Sequence, residues 1–295
     1  WSSVLCCSVL GSSFPAAAAA PGMTHSPALL RFVLFSYFMS GLLALAYKVV
    51  WTSSLVFSFE VMKNTTYAFS GMLTVFLLGL ALGSAVMTWR VDRERDPLRL
   101  YAFIQVLIGL SGALSYFIIH FIAPTLQPFE ETAPEGGIRW VGAVLNVMIK
   151  TAVSIGLPTV LMGMAFPVVA RVTVSLRRGV GADVGRLYAF NTVGAIVGSV
   201  LSGFVLIPLL GVTPTLTLLA SVQVAVGAAL LWKHPGLSAR LRTGLVFGAA
   251  GAMAILVVRI AAAGMTVPLQ QLSWYEKLLY YEEGALATVS IGEDE

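Results

Sequence analysis

Long apolar runs separated by short charged segments make up most of the chain from about residue 28 onward. A helix that crosses a membrane needs roughly 20 consecutive, mainly apolar residues. Seven runs reach that length: 29–59, 66–89, 100–122, 140–174, 187–210, 214–232 and 244–263. The pattern therefore predicts an all-α polytopic membrane protein with about seven transmembrane helices.

The fourth run, residues 140–174, is longer than one crossing requires and contains Pro158 and Pro167. Proline lacks the backbone N–H that a helix uses and clashes with the preceding turn. We therefore expect this run to form one helix that is kinked or broken.

The pattern changes near the C-terminal end, where charged residues return and apolar and polar positions alternate over residues 286–291. A period of two is typical of a β-strand. Because the chain ends inside this pattern, we expect a transmembrane domain over residues 28–268. Residues 269–295 would then be a linker and the first strands of a truncated soluble domain.

The first 27 residues do not fit either pattern. The chain opens with Trp1, contains an alanine run at 16–20, and has Met23 just before the first long apolar run. A charged stretch that would begin a signal peptide is absent. We expect a disordered or non-native leader, and the choice between a translation artefact and a real leader stays open.

Composition supports a membrane protein, because 58% of the residues are hydrophobic and 11% are charged. Soluble domains carry about 25% charged residues. The two cysteines, Cys6 and Cys7, are adjacent, which predicts neither a disulfide framework nor a metal site. No basic surface interleaved with aromatic residues suggests a nucleic-acid partner.

Basic residues concentrate in three connecting segments, 90–99, 171–186 and 233–242. The positive-inside rule places such segments in the cytoplasm, so we expect a multi-pass protein of the bacterial inner membrane with a cytoplasmic N-terminus. Seven crossings would then leave the C-terminal tail outside. Three explanations stay open: the seventh run does not cross, the helix count is wrong around Pro158, or the tail is external.

Three bases lie inside the apolar runs: Lys48, Lys150 and Arg259. Ionisable groups within a membrane are costly and suggest a function, although long basic side chains also extend to the membrane surface. Both interpretations stay open for Lys48, whereas Arg259 is close enough to a helix end to reach the surface. The polar residues Gln105, Asn146 and Asn191 also lie in runs, where hydrogen bonds between helices are the usual role.

Glycines recur at a spacing typical of helix contacts: Gly79 and Gly83 in the second run, and Gly194, Gly198 and Gly203 in the fifth. Such positions let helix backbones approach closely in lipid. Packing within one molecule is the favoured interpretation. A homo-oligomer formed through these faces is left open.

Several segments together resemble the membrane region of bacterial spermidine synthase-like proteins, the polyamine aminopropyltransferase family. The segments are GLLALAYKVVWT at 41–52, residues 66–84, PTVLMGMAFP at 158–167, residues 185–211, and YYEEG with ATVS at 280–290. In that family a multi-span region precedes a catalytic domain with a small β part and a Rossmann-like part.

The resemblance implies that the missing domain binds decarboxylated S-adenosylmethionine and transfers its aminopropyl group to a polyamine or related amine. No residue of this chain matches the family's catalytic or cofactor-binding positions, so we assign no catalytic, cofactor-binding or metal residue and leave enzyme activity open. The expected partners are the lipid bilayer and the missing C-terminal domain.

Two other functions stay open. The loop at 90–97 follows a glycine-rich helix end and resembles a loop of major facilitator transporters, which favours a transporter or exporter of a small metabolite. Lys48 and Lys150 make a polycationic cargo a poor fit, so a neutral or anionic cargo is favoured. The third function is a non-catalytic membrane scaffold.

Overall fold

The computed structural model describes residues 27–55, 66–126, 137–174, 180–263, 277–283 and 288–293. Residues 1–26 of the predicted leader, with Cys6 and Cys7, and residues 269–276 of the predicted linker lie outside these residues, whereas Pro27 begins the first helix.

Eight α-helices occupy most of the described chain. They are α1 (Pro27–Leu55), α2 (Thr66–Val91), α3 (Pro97–Phe117), α4 (Gly137–Val174), α5 (Val180–Leu201), α6 (Ile207–Leu210), α7 (Val212–Trp232) and α8 (Ala239–Ala262). The short α6 continues α5 through one wider turn. In the described part of the chain, seven helical segments are long and apolar enough to cross a membrane. This number confirms the predicted count of long apolar helices.

The fourth predicted run forms α4, one α-helix that is uninterrupted from Gly137 to Val174. The alternative of a broken helix is therefore wrong, even though Pro158 and Pro167 lie inside it. Hydroxyl groups and neighbouring helices can satisfy the carbonyls that a proline leaves free. α2 packs along most of this helix, and its Gly79 and Gly83 approach α4 at Thr159 and Val160, directly after Pro158.

Two helices end in wider turns that the sequence pattern did not predict. α3 continues through a π-helical turn at Ile118–Ile122, and α5 continues through another at Ser202–Leu206. In each case the residue after the turn donates to the carbonyl five positions earlier. Pro124 and Pro208 follow directly after that residue. Because proline cannot donate the next helical bond, the ladder changes register immediately before it.

The helices pack in pairs around a shared interior. α2 lies along α4, α1 along α5, and α3 along α7, while α3 also borders α4 and α1 borders α7. α3 is the most buried of the seven apolar segments and α8 the least. The core therefore lies among α1, α3, α4 and α7, and α8 packs on the outside against α7.

Two strands follow the helices in sequence, β1 (Lys277–Glu283) and β2 (Thr288–Glu293). They form an antiparallel pair in which Lys277 lies opposite Glu293 and Glu283 opposite Thr288. The alternation noted at 286–291 thus falls partly on β2 and partly on residues 284–287, which lie outside the described part of the chain.

Candidate functional site

A group of buried polar side chains lies between α1, α3 and α7. We call this group the polar seam: Ser36, Ser40, Tyr47 and Trp51 of α1, Tyr101, Gln105 and Ser115 of α3, and Gln223 of α7. The backbones of α1 and α3 hardly approach each other. Side chains, and not close helix contact, therefore connect these two helices.

Aromatic side chains connect α1 to the second half of α3. The indole Nε1–H of Trp51 donates to Ser115 Oγ at 2.8 Å, and Ser115 donates to the Gly112 carbonyl at 2.6 Å. Tyr47 stacks on Trp51 with ring centroids 4.9 Å apart. A Cβ at Gly112 would lie 2.7 Å from the Tyr47 hydroxyl oxygen. Glycine is therefore needed at position 112 to admit the phenol ring.

A second connection joins α1 and α3 nearer the start of α3. Ser36 Oγ lies 3.4 Å from the Tyr101 hydroxyl oxygen and donates to the Val33 carbonyl at 2.7 Å. Tyr101 is fully buried. With a helical rise of about 1.5 Å per residue, this connection and the Trp51 connection are roughly 20 Å apart along α3.

The two buried glutamines of the polar seam bind each other. Gln223 Nε2 donates to Gln105 Oε1, which links α7 to α3. Within the polar seam, Gln223 Oε1 and the Tyr47 hydroxyl have no hydrogen bond of acceptable geometry, whereas the Gln105 side chain also interacts with the Tyr101 hydroxyl. A buried polar group without a partner costs about 1–3 kcal/mol.

The two lysines inside the apolar helices lie in different surroundings. Lys48 is partly buried, and its ammonium lies 4.4 Å from the ring centre of Phe69 on α2. Lys150 of α4 is 2% exposed, and Asn146 precedes it by one turn and is equally buried. Both Lys150 and Asn146 interact with other groups in the structure. Lys48 therefore belongs to the contact between α1 and α2, whereas Lys150 belongs to the interior.

The other predicted polar positions lie on separate contacts. Asn191 of α5 faces Gly41 of α1 so closely that a Cβ at Gly41 would clash with its side chain and carbonyl. Arg259 is exposed near the end of α8. Of the predicted polar residues, Gln105 lies in the polar seam through its hydrogen bond with Gln223.

The predicted glycines meet partner helices within the same chain. A Cβ at Gly79 would clash with Thr159 of α4, and one at Gly83 with the Val160 carbonyl. On α5, Gly194 faces the Phe38 carbonyl and Gly198 the Leu42 carbonyl of α1, while Gly203 approaches Val49 more loosely at 3.7 Å. These glycines set the close approach of α2 to α4 and of α1 to α5.

Sequence reasoning missed a buried histidine at the end of the bundle that carries the basic loops. Asp96 Oδ1 accepts the Arg99 N–H at 3.2 Å as the N-cap of α3 and lies 2.9 Å from His234 Nε2. Gly236 N–H donates to His234 Nδ1 at 3.1 Å. Because Nδ1 accepts, the proton of the neutral ring is assigned to Nε2, which donates to Asp96.

Arg171 makes a second connection at the same end. It binds Asp92 at 3.1 Å, the Glu94 carbonyl at 3.3 Å and the Val91 carbonyl. Arg171 joins the end of α4 to the α2–α3 loop, and His234 joins the α7–α8 loop to the same segment. An Asp–Pro pair at 96–97 is a sequence signal for the cap, but the pairing partners are 79 and 138 positions away.

Within the described ranges, no group of three or more His, Cys, Asp and Glu residues is placed to hold a metal ion. The polar seam instead offers neutral hydroxyl and amide groups. Its chemistry is therefore that of hydrogen bonding.

Two curated proteins resemble the chain. It is 28% identical over 218 residues to polyamine aminopropyltransferase 2 of Ralstonia nicotianae, and 28% identical over the same length to polyamine aminopropyltransferase 1 of that organism. The chain is a distant relative of these transferases. Each match covers 73% of this chain but only 38% and 37% of the two relatives, so the chain spans little more than a third of their length.

The other comparisons add no relative. No protein-family profile matches the chain, and no solved structure matches it significantly.

Proposed function

We propose that the helical part of this chain is the membrane domain of a polyamine aminopropyltransferase-like protein. It would hold a catalytic unit at the membrane, and that unit would transfer an aminopropyl group from decarboxylated S-adenosylmethionine to an amine. The similarity to the two Ralstonia transferases carries this proposal. The β1–β2 pair would be the first part of the catalytic unit.

The extent of the similarity supports a shared membrane region. The matches cover 218 residues, far more than the residues of this chain that lie outside the helical part, 27–263. Most of the matched positions therefore fall on the apolar helices. A likeness restricted to a catalytic domain would not reach so far into them.

We further propose an orientation in which the end with the basic loops faces the cytoplasm of a bacterial cell. Arg171 and His234 connect the three basic segments at one end of the bundle. Lys233 lies 4.0 Å from the ring centre of Phe32, which places the start of α1 at that end too. The positive-inside rule assigns such an end to the cytoplasm.

The decisive experiment starts from the gene. The reading frame beyond the codon for Glu295 is cloned with this chain, and membranes holding the product are assayed for aminopropyl transfer to putrescine and spermidine. The proposal expects a longer polyamine in the membrane fraction. A membrane-bound product that transfers no aminopropyl group to any amine would refute the enzymatic part.

The orientation has its own test. Reporter fusions that are active on only one side of the membrane are placed after Arg95, after Leu126 and after Glu293. The proposal expects a cytoplasmic signal at Arg95 and an external signal at Leu126. The result at Glu293 decides whether α8 crosses the membrane, because seven crossings place the strands outside.

A second candidate function is passage of a small solute through the helical domain. The observation that favours it is the row of buried polar side chains in the polar seam, in which Gln223 Oε1 and the Tyr47 hydroxyl have no hydrogen-bond partner. Proteoliposomes holding the chain test it by uptake of labelled solutes, with empty liposomes as the control. Equal uptake in both preparations would eliminate passage.

A further inference from the structure

The end of α7 and the start of α8 carry a group of bases without acidic residues of their own. We call Lys233, Arg240 and Arg242 the basic patch. Lys233 and Arg240 are exposed, and Arg242 is partly buried. Residues 184–275 contain no aspartate or glutamate, and within the described ranges none of the three bases forms an ion pair with a carboxylate. The basic patch therefore presents positive charge that is not neutralised by its own part of the chain.

Two cations of the basic patch lie over aromatic rings. Lys233 Nζ is 4.0 Å from the ring centre of Phe32 on α1, and the Arg242 guanidinium is 4.8 Å from that of Trp232, the last residue of α7. The face of an aromatic ring attracts a cation without neutralising it. The rings therefore position both cations around the end of α7 and leave their charge available to an anion.

The nearby carboxylate that could neutralise this charge already has partners. Asp96 Oδ1 lies 2.9 Å from Nε2 of His234, the residue that follows Lys233, and accepts the Arg99 N–H at the start of α3. A change in that contact would remove the cap of α3. The counter-charge for the basic patch must therefore come from another molecule.

The position of the basic patch limits what that molecule can be. The patch lies between the ends of α7 and α8, which are both long and apolar enough to cross a membrane. Trp232 is 49% exposed and Leu241 is 43% exposed. Tryptophan is enriched at the boundary between membrane and water. A partner at this place would meet cations and exposed apolar side chains together, and an anionic phospholipid has a part for each.

We propose that the basic patch binds the phosphodiester headgroup of an anionic phospholipid. Arg242 would donate two parallel hydrogen bonds to the phosphate oxygens, as guanidinium groups do, and Lys233 would be the second cation. The acyl chains would lie beside Trp232 and Leu241. This site rests on the proposed membrane location of the helices, and it depends neither on aminopropyl transfer nor on the orientation of the bundle.

Trp232 can serve as a fluorescent reporter inside the proposed site. The full chain keeps Trp232, and the other tryptophans are replaced by phenylalanine: Trp1, Trp51, Trp89, Trp140 and Trp274. The protein is placed in phosphatidylcholine vesicles that contain a minor fraction of brominated phosphatidylglycerol or brominated phosphatidylcholine. Bromine quenches tryptophan fluorescence at short range, so quenching measures how often the brominated lipid lies at Trp232.

We expect phosphatidylglycerol to be preferred over phosphatidylcholine by about 25-fold, because each of two bases at an anionic membrane surface contributes about fivefold. Arg242→Gln or Lys233→Gln alone should reduce the preference to about fivefold. The two substitutions together should abolish it, and each single variant decides the matter if the double variant does not fold. Arg259→Gln is the matched control, because Arg259 is an exposed base near the other end of α8. It should leave the preference unchanged.

Four results would overturn the site. Equal quenching by the two lipids would leave the basic patch to an acidic protein segment. A preference that survives the double variant would belong to bases elsewhere, and one that Arg259→Gln also lowers would reflect net charge. Displacement of phosphatidylglycerol by inorganic phosphate, but not by chloride of the same ionic strength, would indicate a site for soluble phosphate.

The same measurement separates this site from the proposed function. The vesicles carry the same lipids in both leaflets, so the orientation of the bundle does not affect the quenching. No aminopropyl transfer is measured either. Loss of the lipid preference would therefore leave the transferase proposal standing, and an inactive transferase would leave the lipid site standing.

Discussion

Two helix pairs are joined in different ways within one apolar bundle. The backbones of α2 and α4 touch, whereas α1 and α3 are joined by side chains. At the first, Gly79 and Gly83 let backbones touch, and a Cβ at either position would clash with α4. At the second, the backbones stay apart and Tyr47 and Trp51 extend across. Close contact brings glycines of one helix against the backbone of the other, whereas the α1–α3 contact is made by side chains and leaves the Tyr47 hydroxyl without a partner.

The largest expected effect comes from breaking the close contact. Gly83→Leu would force a side chain onto the Val160 carbonyl of α4. Overpacking costs about 1–3 kcal/mol, so we expect a loss of about 3 kcal/mol or no folded protein, measured by thermal unfolding in detergent. Gly248→Leu on α8 is the control, because a Cβ there meets nothing within 4 Å. Equal losses in both variants would contradict the close contact.

The next effect concerns the end of the bundle where α3 begins. Asp96→Ala removes the N-cap of α3 and the acceptor of His234, and each loss costs about 1 kcal/mol. We expect thermal unfolding to show a loss of about 2 kcal/mol. Asp92→Ala is the matched control, because this carboxylate is 91% exposed in its pair with Arg171, and exposed pairs contribute about 0–1 kcal/mol. A larger loss for Asp92→Ala would show that Arg171 is the stronger connection.

A double substitution tests the side-chain connection between α3 and α7. Gln105→Leu leaves Gln223 buried without its partner and should cost about 1 kcal/mol. Gln105→Leu with Gln223→Leu removes both groups and should recover part of that loss, because an apolar pair leaves nothing unsatisfied. Denaturation of the two single variants and the double variant in the same detergent gives the coupling. Additive losses would show that the glutamines do not interact.

The smallest expected effect is at the aromatic connection. Ser115→Ala removes the acceptor of the Trp51 indole but keeps the size of the side chain almost unchanged. Hydrogen bonds between membrane helices average about 0.6 kcal/mol, so we expect a loss of that order in thermal unfolding. Trp51→Phe combined with Ser115→Ala should then lose less than the sum of the two single losses, because both variants remove the same indole–hydroxyl bond. Fully additive losses would mean that Ser115 acts through the Gly112 carbonyl and not through Trp51.

The pattern of hydrophobic residues along the sequence was enough to predict the helices, because each of the seven apolar runs is as long as a membrane crossing. The hydrophobic pattern did not predict helix continuity where packing against a neighbouring helix determines it. Pro158 suggested a break, yet α4 stays continuous beside α2. Pattern also could not find the two π-helical turns, although Pro124 and Pro208 mark where they end.

Only part of the candidate site could be predicted from the sequence. Gln105 stands out as an amide in an apolar run, and a hydrogen bond between helices was the expected role. Tyr47, Trp51 and Ser115 do not stand out, because aromatic residues and serines are common in such runs. Their importance comes from contacts between positions 64 residues apart.

The sequence by itself determined that this protein is a set of long apolar helices with basic loops, because helix length and charge placement are local properties. It also indicated which glycines would allow close packing. Only the tertiary structure decided which helices those glycines meet and that α1 and α3 stay apart. It alone decided that Gln105 meets Gln223 and Asp96 meets His234, because each of these pairs joins residues more than 100 positions apart.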